Sequence, residues 1–203
     1  MRYVCYVTRQ PDADKKPALL DNIVDHLADR PLSTLTFRGL ATALGVSTFT
    51  LVYHFGTRAE LVRDIIETIA RRQRRFEMPV DVGEVTIENY TDGLMATFES
   101  ALLPSNRALQ RLEFEAQMLE ALETEHGVTR TVHEELQSRG RSALIALGLN
   151  YTEADIESSL LIDTFYGIQV GLVVNRDIDR ARAAYERAIT HHCERVLALA
   201  AAS

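Results

Sequence analysis

The segment from Thr36 to Phe55, TFRGLATALGVSTFTLVYHF, concentrates side chains that can contact a nucleic acid. On a helix through its second half, the outward-facing residues would be Thr48, Phe49, Thr50, Tyr53 and His54. Hydroxyl groups and an imidazole can donate hydrogen bonds to phosphate oxygens or base edges, and threonine and phenylalanine can pack on the methyl group of thymine. Arg38 adds a guanidinium that fits both acceptors of guanine. These residue types favour contact with DNA.

The spacing within this segment predicts two short helices joined by a tight turn. A helix-turn-helix needs a small residue where the helices cross, a glycine at the turn and an apolar residue that faces back. Ala41, Gly45 and Leu51 occupy these positions, and glycine supplies the positive φ of the turn. Thr36 and Ser47 are suitable N-caps. A plain helical hairpin would show the same apolar spacing; the arginine in the first helix and the His-Phe-Gly-Thr-Arg ending favour DNA binding.

The charge distribution divides the chain into a basic first part and an acidic remainder. Residues 1–76 contain 12 Lys and Arg against 8 Asp and Glu, and residues 77–203 contain 10 against 21, for a net charge of −7. This asymmetry favours a polyanionic partner for the first part only. The chain has two cysteines and no long apolar run, so we expect a cytoplasmic protein with neither a disulfide framework nor a membrane-spanning helix.

Helical periodicity runs through nearly the whole sequence, so the predicted fold class is all-α. Apolar residues recur every three to four positions in 19–27 and again in 61–69. A helix is expected to begin near Pro17, and a capping-box pattern, Thr57 with Glu60, begins a longer one. Further helices are predicted at 84–103, 105–125, 127–148, 153–175 and 179–202, with Thr152 and either Asp177 or Asp179 as caps.

The punctuation of the sequence predicts a division into domains. An N-terminal extension would cover residues 1–16, and a three-helix DNA-binding domain with the helix-turn-helix would cover residues 17–76. A linker at 77–83 would lead to a larger helical domain at 84–203.

The N-terminal segment resembles the DNA-binding domain of the TetR family of transcriptional regulators. The family pattern combines a T-x-R start, an A-x-x-(A/L)-G-V-S turn and an H-F-x-x-(K/R)-x-x-L ending. The matching residues here are Thr36, Arg38, Leu40, Ala41, Leu44, Gly45, Val46, Ser47, Thr50, Leu51, His54, Phe55, Arg58 and Leu61. The rest of the chain resembles the family only in length and helical character. The resemblance implies a helix-turn-helix domain followed by a helical ligand-binding and dimerisation domain.

The resemblance also implies roles for individual residues. The predicted DNA-contacting residues are Thr36, Arg38, Ser47, Thr48, Phe49, Thr50, Tyr53, His54, Thr57 and Arg58. Arg38 would contact a base edge or a phosphate, and the start of the second helix would read bases. Thr57 and Arg58 would form a phosphate clamp, which the free N–H groups and dipole of a helix N-terminus also favour. Phe49 and Val52 replace the small residue and the tyrosine usual in the family.

The larger half is expected to carry dimerisation and ligand binding. By resemblance, the last two helices would pair with those of a second chain in a four-helix interface, although they could also be ordinary core helices. An unknown small apolar or amphipathic effector would bind between helices of this half. The candidate lining residues are Tyr90, Leu94, Met95, Phe98, Phe114, Met118, Phe165, Tyr166 and Gln169. Aromatic residues and methionine at helical spacing are equally typical of a hydrophobic core.

The function that the resemblance implies is ligand-responsive repression of transcription. A homodimer would bind a palindromic operator on double-stranded DNA until the effector releases it. One alternative is a helix-turn-helix regulator controlled by a protein partner or requiring a co-ligand, and another is an all-α enzyme. The sequence has no nucleotide-binding, serine-hydrolase or zinc-protease motif. We therefore expect no enzymatic activity and no cofactor.

Histidines raise the question of a metal site. His191, His192 and Cys193 are consecutive, and successive residues of a helix point about 100° apart. They cannot share one ion, so the prediction is surface histidines and no metal. His126 and His133 lie seven residues apart, nearly on one face of a helix and near Glu125 and Glu134, so they offer a divalent metal site as an alternative, but the favoured interpretation is again surface histidines.

Overall fold

The computed structural model describes residues 15–74, 85–123 and 127–202, and within these ranges the chain forms nine α-helices, one 3-10 turn and no strand. The helices are α1 (Lys15–Leu27), α2 (Phe37–Leu44), α3 (Thr48–Phe55), α4 (Arg58–Arg74), α5 (Ile87–Leu102), α6 (Pro104–Glu123), α7 (Val128–Ala146), α8 (Tyr151–Asn175) and α9 (Ile178–Ala202). The 3-10 turn, Leu32–Thr34, lies between α1 and α2. The all-α prediction is confirmed. No described helix is both long and apolar enough to cross a membrane.

Helices α1 to α4 share one hydrophobic core that extends into α6. The apolar stripes of α1 and α4 predicted from the sequence are buried in it, as Ile23, Leu61 and Ile65 illustrate with no exposed surface. Leu112 and Ala116 of α6 belong to the same core and are also fully buried. The packing of the helix-turn-helix half is therefore completed by a helix from the second half.

Helix α6 also holds the end of α1 through polar contacts. The Arg111 guanidinium donates from one terminal nitrogen to the backbone carbonyls of Leu27, Ala28 and Arg30, at 2.9, 3.1 and 2.8 Å. Its other terminal nitrogen pairs with Glu115, whose carboxylate accepts from the N–H of Leu32. These contacts satisfy carbonyls that the last turn of a helix leaves without intrahelical partners. We call Arg111 and Glu115 the α6 clamp.

The second half is built around α5, α8 and α9. Phe98 of α5 stacks on Tyr185 of α9 with ring centroids 4.0 Å apart and an interplanar angle of 9°. Phe165 of α8 meets both rings edge-on. A second cluster, which includes Leu144 and Val196, joins the end of α7 to the same helices. The long helices α8 and α9 thus have one face in the core and another outside it.

The helix boundaries follow the sequence closely, with one cap misplaced. Thr152 lies inside α8, and the cap is Asn150, whose side chain accepts from the N–H of Glu153 at 3.0 Å. Asp177 caps α9 by accepting from the N–H of Arg180 at 3.0 Å, as one of the two predicted alternatives required. The predicted linker at 77–83 and most of the predicted extension at 1–16 lie outside the described residues.

Candidate DNA-binding interface

Three local devices shape the helix-turn-helix. The Thr36 hydroxyl accepts from the N–H of Gly39 at 3.1 Å and begins α2. Gly45 adopts the left-handed conformation, with φ 65° and ψ 30°, and its N–H donates to the carbonyl of Ala41. The Ser47 hydroxyl accepts from the N–H of Thr50 at 3.0 Å and begins α3. The turn and both caps are thus those that the sequence predicts.

Helix α3 has a buried face and an uncovered face. Leu51 and Phe55 lie in the core, with 0% and 2% of their surfaces exposed. On the other side, Phe49 is 78% exposed and Tyr53 59%, and their rings stack with centroids 6.3 Å apart. Val52, between them on the same side, is 46% exposed. The structure therefore brings the predicted recognition residues to one accessible face.

The N-terminus of α4 is capped by the side chains of Thr57 and Glu60. The N–H and hydroxyl of Thr57 both donate to the Glu60 carboxylate, at 2.7 and 2.8 Å, and the Thr57 hydroxyl accepts from the N–H of Glu60. The hydrogen bonds from Thr57 lower the pKa of Glu60, so this carboxylate stays charged. Gly56 has φ 63° and ψ −110°, a conformation that L side chains rarely adopt, and a Cβ there would also displace the same carboxylate, which lies 2.3 Å away. The donors of Thr57 are therefore engaged within the capping box, whereas the Arg58 guanidinium has no hydrogen-bond partner among the described residues.

Two arginines belong to the helices that precede and follow α3. Arg38 lies exposed in the first turn of α2, and Arg58, half-buried, begins α4. In the described part of the chain, neither guanidinium forms a hydrogen bond or an ion pair with a protein group. The sequence from 31 to 59 contains no Asp or Glu, and the next acid, Glu60, is engaged in the capping box. The helix-turn-helix segment therefore has a net positive charge, which suits a polyanionic partner.

The ten predicted DNA-contacting residues form two groups, according to whether their polar atoms are already hydrogen-bonded within the helix-turn-helix. The caps Thr36, Ser47 and Thr57 already accept from backbone N–H groups, and the hydroxyl of Ser47 also bonds that of Thr50 at 2.7 Å. The remaining members point away from the core or flank it; these are Arg38, Thr48, Phe49, Tyr53, His54 and Arg58. The Thr36 hydroxyl keeps its proton available to donate outward, whereas the Thr57 hydroxyl already donates to Glu60.

The candidate effector-lining residues fall into separate groups in the structure. Phe98 and Phe165 belong to the aromatic core cluster, and Leu94 and Met95 pack against it. The carbonyl of Leu94 accepts from the Tyr185 hydroxyl at 3.0 Å. These residues are close together, and aromatic rings fill the space between them.

A second group lies where α6, α7 and α8 meet. Phe114 contacts the ring of Tyr166 edge-on at 5.9 Å, and His133 lies 6.1 Å from the same ring. Gln169, one turn further along α8, is 4% exposed. Met118, one turn after Phe114 on α6, is 63% exposed. An open cleft between α4 and α7, lined by charged residues, contains none of the nine candidates.

A buried polar network was missed by sequence reasoning, which expected His192 at the surface. The structure buries its imidazole, with 2% exposed, between the Tyr90 hydroxyl at 2.9 Å from Nε2 and the Glu157 carboxylate at 3.1 Å from Nδ1. Arg195 donates to the same carboxylate at 2.8 Å. The correction has a simple cause: His192 lies on the same face of α9 as Tyr185, Ile189 and Val196, all buried. This helical spacing is the signal that would have found it.

The network defines the protonation of His192. A carboxylate can only accept, so Nδ1 carries the proton and Nε2 accepts from Tyr90. Burial lowers the pKa of His192, which keeps the ring neutral, although Glu157 opposes this effect. Burial alone would raise the pKa of Glu157, but Arg195 and His192 outweigh it and the net shift is downward. The network joins α5, α8 and α9.

Within the described residues no cluster of three His, Cys, Asp or Glu is arranged to hold a metal, and His126 lies outside them.

A two-helix turn of this kind, packed against α1 and α4 and followed by a larger helical half, defines the TetR-like fold. A transcriptional regulator from Rhodococcus sp. Rha1 superposes with a TM-score of 0.72 at 17% identity, over 88% of this chain and 96% of that one. BioQ from Mycobacterium smegmatis gives 0.57 at 22% identity, over 93% and 99%. No protein-family profile and no curated protein sequence matches the chain. At these identities the likeness concerns the fold, and it confirms the predicted fold.

Proposed function

We propose that the protein is a transcriptional regulator that binds DNA as a homodimer and represses transcription until a small effector releases it. The observation that carries the proposal is the uncovered face of α3, which follows the Thr36 and Ser47 caps in a segment that contains Arg38 and Arg58 and no acid between 31 and 59. A helix presented in this way fits the major groove, where its first turns meet base edges. The fold shared with known transcriptional regulators supports the same function.

Selection of bound duplexes from a random DNA pool tests the DNA-binding part. We expect a palindrome, since two-fold symmetry of a dimer is mirrored in its site. With this site as probe, Arg58→Ala should weaken binding to all sequences and reduce the slope of log K against log salt by about 0.9 for each phosphate that the variant no longer neutralises. Arg38→Ala should in addition relax the preference at a base position if Arg38 reads a base.

Arg130→Ala is the matched control for both variants. Arg130 is exposed on α7, and its one ion pair among the described residues is with Glu134 of its own helix at 2.7 Å. Its removal changes the net charge equally, so an effect of net charge alone would appear in all three proteins. If the control and the two variants bind DNA like the parent, the assignment of DNA binding to the helix-turn-helix is wrong.

Dimerisation is proposed through α8 and α9, because α8 exposes an apolar stripe. Ile156, Leu160, Val170 and Val174 are 55%, 47%, 46% and 72% exposed and recur at helical spacing. A Cβ at Gly167, within the stripe, would meet no atom within 4 Å. A stripe of this kind is typical of a surface that a second helix covers.

Sedimentation equilibrium of Leu160→Glu tests the interface. A buried, unpaired carboxylate is strongly unfavourable, so we expect the variant to be monomeric at concentrations where the parent is dimeric. Leu122→Glu is the control, since Leu122 is an exposed leucine, at 86%, on α6 and away from the stripe. An unchanged dimer in Leu160→Glu would place the interface elsewhere.

The effector is proposed to be amphipathic, because the interior of the second half is partly polar. Gln110, Glu113 and Gln117 lie along one side of α6 with 3%, 4% and 7% exposed. The Oε1 atom of Gln110 has no hydrogen-bond partner among the described residues. A buried acceptor of this kind is costly unless a donor reaches it, and an effector with an N–H or O–H group would supply one.

A release assay tests the effector site. A panel of small acids, amides and alcohols would be screened for compounds that release the operator probe. For an active compound, Gln110→Leu should bind the probe normally but require a higher compound concentration for release. An unchanged dose response in Gln110→Leu would exclude this position from the effector site.

A further inference from the structure

The uncovered face of α3 lacks every side chain that reads bases through paired hydrogen bonds. Arginine and lysine recognise guanine in this way, asparagine and glutamine recognise adenine, and acidic residues accept from cytosine. Helix α3, TFTLVYHF, contains none of these residue types. Its accessible surface consists mainly of Phe49, Val52 and Tyr53, which lie at positions i, i+3 and i+4 and therefore on one side.

Only one base presents an apolar group in the major groove. Thymine carries a methyl group at C5, whereas the other three bases offer only hydrogen-bonding edges there. We propose that Phe49, supported by Tyr53 and Val52, recognises thymine methyl groups, so that the sequence preference of this protein is centred on thymine in each half-site. This inference rests on the proposed function, and it specifies what the recognition helix reads.

The geometry of the face suits this role. Phe49 is 78% exposed, so its ring is available to a ligand without any rearrangement of the core. The Phe49 ring stacks on that of Tyr53 with an interplanar angle of 23°, so the two rings form one contiguous apolar surface. Tyr53 is itself supported edge-on by His54 at 5.2 Å. A surface held in this way loses little side-chain freedom on binding.

The surroundings of the face identify its occupant as DNA rather than an apolar protein segment. Arg38 lies in the first turn of the helix before α3, Arg58 begins the helix after it, and no acidic residue occurs between 31 and 59. A suitable partner therefore combines an apolar group with negative charge. The major groove, with thymine methyl groups on its floor and phosphates along its edges, has this arrangement.

Replacement of single thymines by deoxyuridine in the selected operator is the test, because deoxyuridine differs only by the missing methyl group. Fluorescence anisotropy would give the Kd of each duplex. We expect one or two positions per half-site at which the loss of the methyl group weakens binding about fourfold, or about 15-fold when both half-sites are changed. Cytosine at the same position should bind poorly, and 5-methylcytosine should recover part of the affinity.

Variants at position 49 assign the effect to the side chain. Phe49→Ala should bind the thymine and deoxyuridine operators equally, whereas Phe49→Leu, which keeps an apolar contact, should still prefer thymine. Because the ring lies outside the core, both variants should fold like the parent, which circular dichroism would verify.

Each remaining outcome contradicts a different part of the argument. If the parent binds its operator and no deoxyuridine changes the affinity, thymine methyl recognition is wrong and the proposed function stands. If the deoxyuridine penalty persists in Phe49→Ala, another residue reads the methyl group. If no duplex is enriched in the first place, both the proposed function and this inference are overturned.

Discussion

Replacement of Arg111 by methionine should destabilise the protein by breaking the α6 clamp. The donating nitrogen has two hydrogens for three carbonyls, so it makes about two full hydrogen bonds to the end of α1. Hydrogen bonds to a charged group contribute about 1.5–3 kcal/mol each. Because the side chain is 26% exposed, water replaces part of this interaction. We therefore expect a net loss of about 2–3 kcal/mol.

Urea denaturation followed by circular dichroism would measure this loss, since the chain has no tryptophan to report by fluorescence. Protein concentration must be held constant if the native state is a dimer. In thermal unfolding followed by the same signal, the loss should lower Tm by about 2–4 °C for each kcal/mol.

The matched control is Arg130→Met. Arg130 and Glu134 also form an i,i+4 pair, but their side chains are 61% and 59% exposed, and among the described residues neither forms a hydrogen bond or ion pair beyond α7. The control should cost no more than about 0.5 kcal/mol. If both variants lose the same stability, the long-range bonds of Arg111 contribute nothing and the reasoning is refuted.

Three further predictions concern other local devices. As pH falls below about 6.5, His192→Gln should lose less stability than the parent, by up to about 1.4 kcal/mol per pH unit, because the unfolded histidine takes up a proton that the buried ring, with its lowered pKa, resists. The control is the exposed His191→Gln, and equal pH profiles for all three proteins would contradict this account. Gly45→Ala should cost about 1 kcal/mol in urea denaturation through its φ of 65° alone, since its Cβ would meet no atom within 4 Å, and Gly45→Asn should cost less; an equal cost for both would exclude the backbone as the cause. Gly127→Ala should displace the Glu120 carboxylate, which would lie 2.4–2.8 Å from the new Cβ and which accepts from two N–H groups at the start of α7. In a double-mutant cycle with Glu120→Ala, the losses in unfolding free energy should be non-additive, and additive losses would show that the two positions are independent.

The helix-turn-helix could be predicted because its determinants are local. Thr36, Gly45 and Ser47 each act within five residues of their own position, through a cap or a turn. The capping box of Thr57 and Glu60 is equally local. Such features depend on backbone geometry that neighbouring residues create, so the local sequence is sufficient to predict them.

The features that escaped prediction depend on contacts between distant segments. Arg111 and Glu115 look like an ordinary helical ion pair in the sequence, and their bonds to residues 81–84 positions earlier appear only when α6 packs beside α1. For His192, the neighbouring His191 and Cys193 directed attention to metal binding instead of burial. Periodicity along α9 would have placed the ring inside, but its partners on α5 and α8 follow from the packing alone.

The core shared by α6 and the first four helices limits how this protein could be taken apart and recombined. A chimaera that joined residues 15–74 to a foreign sensing half would lack Leu112 and Ala116, both fully buried, and would leave carbonyls at the end of α1 without Arg111. The unit that can be exchanged intact therefore includes α6. An engineer who grafts a new specificity onto this scaffold should place the junction after that helix and adapt the helices that follow to it.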